Sequence, residues 1–321
     1  MMNLGRVKMA SLPTDLYRMN RLSDYLGQEV YIKRDDNTGL ALGGNKARKL
    51  EFLLGEALDK GCKSVITTGA VQSNHARQTA AACAIVGLEC HLVLEGDKNA
   101  ANQGNLLLDR LLGAVVHIVK DEDDANRYMQ VLQAKLAAEG KSPYVIPVGG
   151  STPVGAAGYF AAMMELFNQL REPGVSFSKI IFASGSGGTH AGLLAGALCL
   201  GVAPSLLGVS VSRTAATLRK QTADIANALL SRIGFPALAA PSDVNITDQF
   251  IGSGYGVPSD EAKEAIRLFA RLEGVLLDPV YTAKAAAALV HMAKEGTIHG
   301  NILFWHTGGT PALFAMGDQI I

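Results

Sequence analysis

KSVITTGAVQSNHARQTAAACAIVGLECHLVLE, residues 63–95, sets the grammar of the chain. KSVITTGA is a short β-rich run, Ser73 stands where a helix N-cap belongs, and the alanine-rich segment to Gly87 reads as that helix. ECHLVLE is then the next strand. The same order recurs outward from it: a helix around Asn105–Leu112, VVHIV, a helix from about Asp124 to Glu139, YVIPVGG, and a helix from about Val154 to Leu170. KIIFASGSGGT with its helix follows, then LLGVSVSR with a helix to about Arg232, VLLDPVY with a helix to about Lys294, and ILFWHTGG. Strands alternating with helices imply parallel sheets covered on both faces, and runs such as VITT, LLGVSV and ILFW have the continuous apolar character of strands buried on both sides. The fold class is therefore α/β, doubly wound and mostly parallel. Ligands of such sheets sit at the carboxyl ends of the strands, where this chain carries GAVQSN, GGSTP, SGSGGT, DPVYT and HTGGT.

Composition narrows the function. The 321 residues suffice for two domains or one large one. With 29 Lys+Arg against 29 Asp+Glu, the chain lacks the basic surplus that nucleic acids and anionic membranes select, so neither is an expected partner. The 35 glycines exceed the usual share of about 7%, and many lie in the loops just named. Cys62, Cys83, Cys90 and Cys199 are scattered, with no metal-like spacing, as expected of a cytoplasmic chain with neither disulfide nor zinc. MMNLGRVKMASLP has no apolar core after its basic residues, so no signal peptide is expected. Gly201 and Pro204 divide the apolar stretch 191–211 into pieces too short to span a bilayer, which takes about 20 residues.

Three loops can carry chemistry. In Ser184-Gly185-Ser186-Gly187-Gly188-Thr189, between an apolar strand and an apolar helix, glycine amides and a helix start together form an anion cup suited to phosphate. A tight glycine turn without a ligand has the same pattern. A nicotinamide-dependent oxidoreductase is disfavoured, because the dinucleotide fingerprint needs glycine at His190 and an acid after the next strand, where Ser212 and Arg213 stand. In TGLALGGNKARKLEFLL, Lys46 falls at the first turn of a helix, where the macrodipole disfavours a cation. That placement implies a depressed pKa of the kind a Schiff-base lysine requires, with Lys49 one turn on and able to meet a phosphate. Most surface lysines are merely solvated, so the lysine alone does not decide the matter. In GAVQSNHARQ, Gln72, Ser73 and Asn74 lie between strand and helix, and a plain helix cap accounts for Ser73 equally well. Tyr255, Tyr281, Thr282 and Thr307 add aromatic faces and hydroxyls at other strand ends.

Together, IKRDDNTGLALGGNKARKLEFLL, TTGAVQSNHARQTAA, SGSGGTHAGL, DPVYTAK and FWHTGGTPALFA resemble the 1-aminocyclopropane-1-carboxylate deaminase and D-cysteine desulfhydrase family of pyridoxal 5'-phosphate enzymes, of the tryptophan-synthase-β-like fold type II. The resemblance runs from about residue 12 to residue 315. It implies a large cofactor-binding domain of residues 1–46 and 156–321, a small domain of residues 47–155 with the active site between them, and a homodimer acting on a small amino acid. It assigns Lys46 to covalent attachment of the cofactor, and Lys49 with Ser184–Thr189 to its phosphate. Asn74 goes to the 3'-oxygen, Gln72, Ser73 and Asn74 to the substrate, Tyr281 to one face of the ring or to action on the substrate with Tyr255 across the site, and Thr307 to the cofactor; Lys46, Ser73, Tyr281 and Tyr255 are the implied catalytic residues. Where the deaminases carry glutamate opposite the pyridine nitrogen, this chain has Thr282. A hydroxyl there bonds an unprotonated nitrogen and makes a weaker electron sink, which suits β-elimination from D-cysteine to pyruvate, hydrogen sulfide and ammonia. L-cysteate sulfo-lysis and aminocyclopropane carboxylate deamination are the alternatives. The implied phosphate cup lies within Ile180–Ser212, a stretch without a formal charge, so amides and one or two lysines take the place of a basic patch.

Overall fold

The computed structural model describes residues 4–171, 175–202, 205–235 and 238–321. Pro204 and the first three residues of the N-terminal stretch lie outside them. In chain order the elements are β1 (Leu16–Arg18), α1 (Asn20–Leu26), β2 (Glu29–Arg34), α2 (Lys46–Asp59), β3 (Ser64–Ala70), α3 (Asn74–Val86), β4 (Glu89–Glu95) and α4 (Gly104–Leu111). Next come β5 (Val115–Val119), α5 (Glu122–Ala138), β6 (Pro143–Ile146), α6 (Pro153–Leu170), β7 (Lys179–Ser184), α7 (Gly188–Leu200), β8 (Leu206–Ser210) and α8 (Ala215–Arg232). The last are β9 (Ile246–Thr247), α9 (Asp260–Glu273), α10 (Thr282–Lys294), β10 (Asn301–His306) and α11 (Thr310–Ala315).

Two sheets result. One has the order β5-β4-β3-β6 and is parallel throughout; the other runs β1-β2-β10-β7-β8-β9 and is parallel except for the β1–β2 pair. The α/β class with mostly parallel sheets is thus as the sequence implied. The central strands are buried along nearly their whole length, as in β7 and β8, whereas the edge strand β5 is only half-buried. Ser184 pairs with Ser210, so β7 and β8 end side by side and release their loops at one place. All four cysteines are free, and among the described residues no helix is long and apolar enough to cross a membrane.

VLLDPVY is not a strand. Residues 275–280 run without regular structure, although Val275 and Leu277 are buried in the core under the six-stranded sheet. Side chains take up the polar backbone that a sheet would have paired. His306 Nε2 donates to the Leu276 carbonyl at 3.0 Å, and the Asp278 amide donates to Thr282 Oγ1 at 2.8 Å. β1, α1, β2, β9, α11 and α9 fall outside the strand–loop–helix series that the sequence pattern announces. The last of these buries Ala262, Ala265, Ile266 and Phe269 at helical spacing behind the N-cap Ser259.

Candidate active site

A cavity of about 470 Å³ opens at the carboxyl ends of β3, β7, β8 and β10. It is lined by Lys46, Lys49, Ser73, Asn74, the whole loop Ser184–Thr189, Tyr255, Tyr281 and Thr307, which therefore converge from six separate stretches of sequence.

Lys46 opens α2 as expected, with Nζ donating to Asn45 Oδ1 at 3.0 Å. Its pKa is lowered to about 8, chiefly because burial penalises the ammonium; Asp278 opposes that shift and Arg77 adds to it. The depression is as the sequence implied, but desolvation, rather than the helix dipole, is its main cause. Asn45, which the motifs did not single out, ties the site together. Its Nδ2 donates to Thr189 Oγ1 at 3.1 Å and its amide to the Thr307 carbonyl at 2.9 Å, so three loops share one residue. Backbone approaches backbone at the same point, since a Cβ on Gly308 would lie 2.6 Å from Gly44 Cα. Only glycine fits there.

The anion cup has both of its components. Gly187, at φ 76°, turns the chain into α7, whose first amides have no acceptor within the helix. Lys49 is fully buried, and among the described residues only the Gly149 carbonyl, at 3.2 Å, accepts from Nζ. No carboxylate lies within ion-pair distance of it among the described residues. Burial, and then Lys46, push its pKa well below the ordinary lysine value. A buried amine that finds no counter-charge among the described residues, beside a ring of glycine amides, is a site where an anion would favour its charged form. Ser184 Oγ is likewise buried without a partner among the described residues, and the Ser186 and Ser151 hydroxyls meet at 2.7 Å.

Ser73 is the N-cap of α3 and lies at the cavity. Its Oγ accepts from the Ala76 amide at 3.2 Å. Tyr255 and Tyr281 form an edge-to-face pair with their hydroxyls 2.7 Å apart. Burial, and then Tyr255, raise the Tyr281 phenol well above its usual pKa, so it stays protonated. Behind Tyr281, the Asp278 carboxylate accepts from the amides of Val280, Tyr281 and Thr282 at 2.8–3.0 Å. Lys284 Nζ donates to the carbonyls of Ile251 and Gly254, which anchors the loop that carries Tyr255.

Two expected site residues lie elsewhere. The Thr282 hydroxyl donates to Asp278 Oδ1 at 2.7 Å and accepts from the Asp278 amide, and the residue does not line the cavity. It stabilises the turn before α10 rather than offering a hydroxyl to a ligand. Gln72 turns its side chain to α4, with Nε2 donating to the Gln103 carbonyl and Oε1 accepting from the Asn105 amide. No motif marks Asp278, Lys284, Asn45 or Asn105: Asp278 acts within its own turn, and the other three through contacts between loops distant in sequence.

The match to the family model of pyridoxal-phosphate-dependent enzymes spans residues 7–308. The chain is 45% identical to the D-cysteine desulfhydrases of Salmonella typhi and Salmonella choleraesuis, with 98% of this chain and 97% of each relative covered. Among solved structures, one described as an ACC deaminase homologue superposes with a TM-score of 0.91 at 38% identity, over 99% of this chain and 96% of that one. A threonine deaminase from T.th. shares the fold at a TM-score of 0.67 and 20% identity, with 92% of both chains covered.

Proposed function

The chain belongs to the pyridoxal-phosphate-dependent enzymes of fold type II, and on that footing we propose that it catalyses β-elimination from D-cysteine, D-cysteine and water giving pyruvate, hydrogen sulfide and ammonia. The observation that carries the reading is the full-length 45% identity to the D-cysteine desulfhydrases, joined to a cavity in which an amine of lowered pKa adjoins an anion cup.

The residues present fit the cofactor. Lys46 would hold it through its amine, Lys49 and the amides of Ser184–Thr189 its phosphate, and Asn74 its 3'-oxygen; Thr307 lines the same cavity. Bound pyridoxal phosphate supplies an electron sink that acidifies the proton on the substrate's α-carbon. Lys46, with a pKa of about 8, is a base matched to neutral solution, whereas Tyr281 keeps its proton and suits donation to a departing sulfur. Ser73, at the positive end of α3, suits the substrate carboxylate.

Charge at the cavity favours a thiol over a sulfonate. Glu95 and Glu122 both line it, and burial, followed by Glu122 and Asp121, raises the Glu95 pKa. Lys49 is assigned to the phosphate, and the Arg213 guanidinium donates to Gln221 at 2.7 Å. The sulfonate of cysteate would bring one more anion into that setting.

The loaded protein is to be incubated separately with D-cysteine, L-cysteine, L-cysteate and aminocyclopropane carboxylate, with pyruvate, sulfide, sulfite and 2-oxobutyrate measured. Sulfide and pyruvate should form from D-cysteine about a hundredfold faster than product forms from any of the other three. Sulfite from cysteate or 2-oxobutyrate from the cyclopropane at a comparable rate overturns the assignment. The cup has its own test. A Cβ on Gly188 would come within 2.6 Å of Ser151 Oγ and 2.9 Å of Lys49 Nζ, so Gly188→Ala should weaken equilibrium binding of pyridoxal phosphate about tenfold.

A further inference from the structure

Asn105, fully buried at the start of α4, belongs to none of the motifs. Its Nδ2 donates to the main-chain oxygen of Gln72 at 2.8 Å and to Asn74 Oδ1 at 3.0 Å, while its own amide donates to Gln72 Oε1 at 2.9 Å. A main-chain carbonyl can only accept, so the Asn105 atom facing Gln72 is the NH2 group. That group in turn leaves only an acceptor's role to the Asn74 atom in front of it. Reversing either amide would set two donors or two acceptors against each other. Asn74 is thus oriented by a chain of constraints that begins at a peptide oxygen. Its remaining end, Nδ2, makes no hydrogen bond among the described residues, and Asn74 lines the cavity.

We propose that Asn105 is a positioning residue that holds Asn74 with its N–H donors toward the cofactor's 3'-oxygen. The proposal rests on the reading above, in which the cofactor is attached at Lys46 with that oxygen beside Asn74. A donor at this oxygen favours its anionic form over its protonated form. The anionic form absorbs in the visible and the protonated form in the near ultraviolet, so the balance is readable without turnover.

Asn105→Asp is nearly isosteric and places an acid at a helix start, where the dipole tolerates it. The group that faces both the Gln72 carbonyl and Asn74 becomes an acceptor, so it must draw back from the peptide oxygen, and Asn74 stays paired with it only by rotating and offering Oδ1 to the cavity. The ratio of near-ultraviolet to visible absorbance in the fully loaded protein should rise about tenfold, the equivalent of one pKa unit. Asn105→Ser, which removes the donor without imposing the reversal, should give a smaller rise and carries the test if N105D does not fold. Asn74→Ala should raise the ratio too, and adding N105D to it should change nothing further, because Asn105 acts through Asn74. A changed ratio in N74A with an unchanged one in N105D and N105S overturns the role of Asn105 alone, as does full additivity in the double variant. An unchanged ratio in N74A overturns the placement of the 3'-oxygen, and with it the proposal.

Discussion

Lys46→Ala is expected to abolish the visible absorbance of the loaded protein and to lower turnover on the order of 10⁴-fold, the upper end of what one acid–base group contributes. The lysine is assigned two tasks, covalent attachment and proton transfer, and alanine can do neither. Both tasks need the amine unprotonated. The pKa of about 8, set first by burial, leaves a usable fraction of free amine at neutral pH, where an exposed lysine has almost none. Attachment of pyridoxal phosphate to the cofactor-free protein should therefore quicken about tenfold per pH unit below 8 and level off above it. Stopped-flow absorbance across that range measures the midpoint. A midpoint near the ordinary lysine value, or a variant that still releases sulfide at a near-native rate, would remove Lys46 from both roles.

How much of this was legible in the sequence depends on the reach of each interaction. The strand–loop–helix order and the start of α2 at Lys46 depend on neighbours a few residues away, and both were readable. The lowered pKa of Lys46 was also readable, but through the wrong cause, because desolvation is a property of the assembled cavity. Thr282 turns from the cavity through a contact only four residues away, because its hydroxyl meets Asp278 in an irregular turn whose apolar run has the pattern of a strand. A run such as VLLDPVY is apolar enough for a strand. Only the positions of His306 and Thr282 reveal that its backbone is paired with side chains. Gln72 lay beside the right residues yet serves Asn105, a partner whose approach no local pattern announces. The helix α9 is a different kind of omission, since its cap and spacing were present in the sequence.

The second large effect is expected at Arg48, which lies between the two lysines on α2. Its guanidinium grips Asp35 through Nε at 2.9 Å and Nη2 at 2.8 Å, and Glu165 through Nη1 and Nη2, both at 2.9 Å. Lys33 Nζ donates to Glu165 at 2.6 Å and the Tyr159 hydroxyl to Asp35 at 2.6 Å, so β2, α2 and α6 are joined through one buried cluster. Arg48→Met keeps the packing but leaves Asp35 with only the Tyr159 and Thr14 hydroxyls and Glu165 with Lys33 alone as its cation, and the loss of one partner from such a cluster costs about 3–5 kcal/mol. The pH dependence supplies the check. Burial alone would raise the Asp35 pKa, but the charge and hydrogen bonds of Arg48, with Lys33 and Tyr159, more than offset it and the net shift is downward. Glu165 is lowered in the same way. Groups depressed in the folded state stabilise it above their unfolded pKa, roughly 4, and that stability is lost as the pH falls through the folded value. In R48M the balance at Asp35 reverses. Burial dominates, the folded pKa rises above the unfolded one, and the carboxylate destabilises the variant at neutral pH. Protonation then relieves the strain, so the difference in Tm between wild type and R48M should shrink as the pH is taken from about 7 toward 5. A difference that stays constant across that range would mean that Arg48 contributes through packing alone. The effect should also reach the cavity, because Arg48 anchors the turn that presents Lys46 and Lys49. A variant that lost stability but bound pyridoxal phosphate as tightly as wild type would show that the lysines are held by Asn45 and its loop contacts instead.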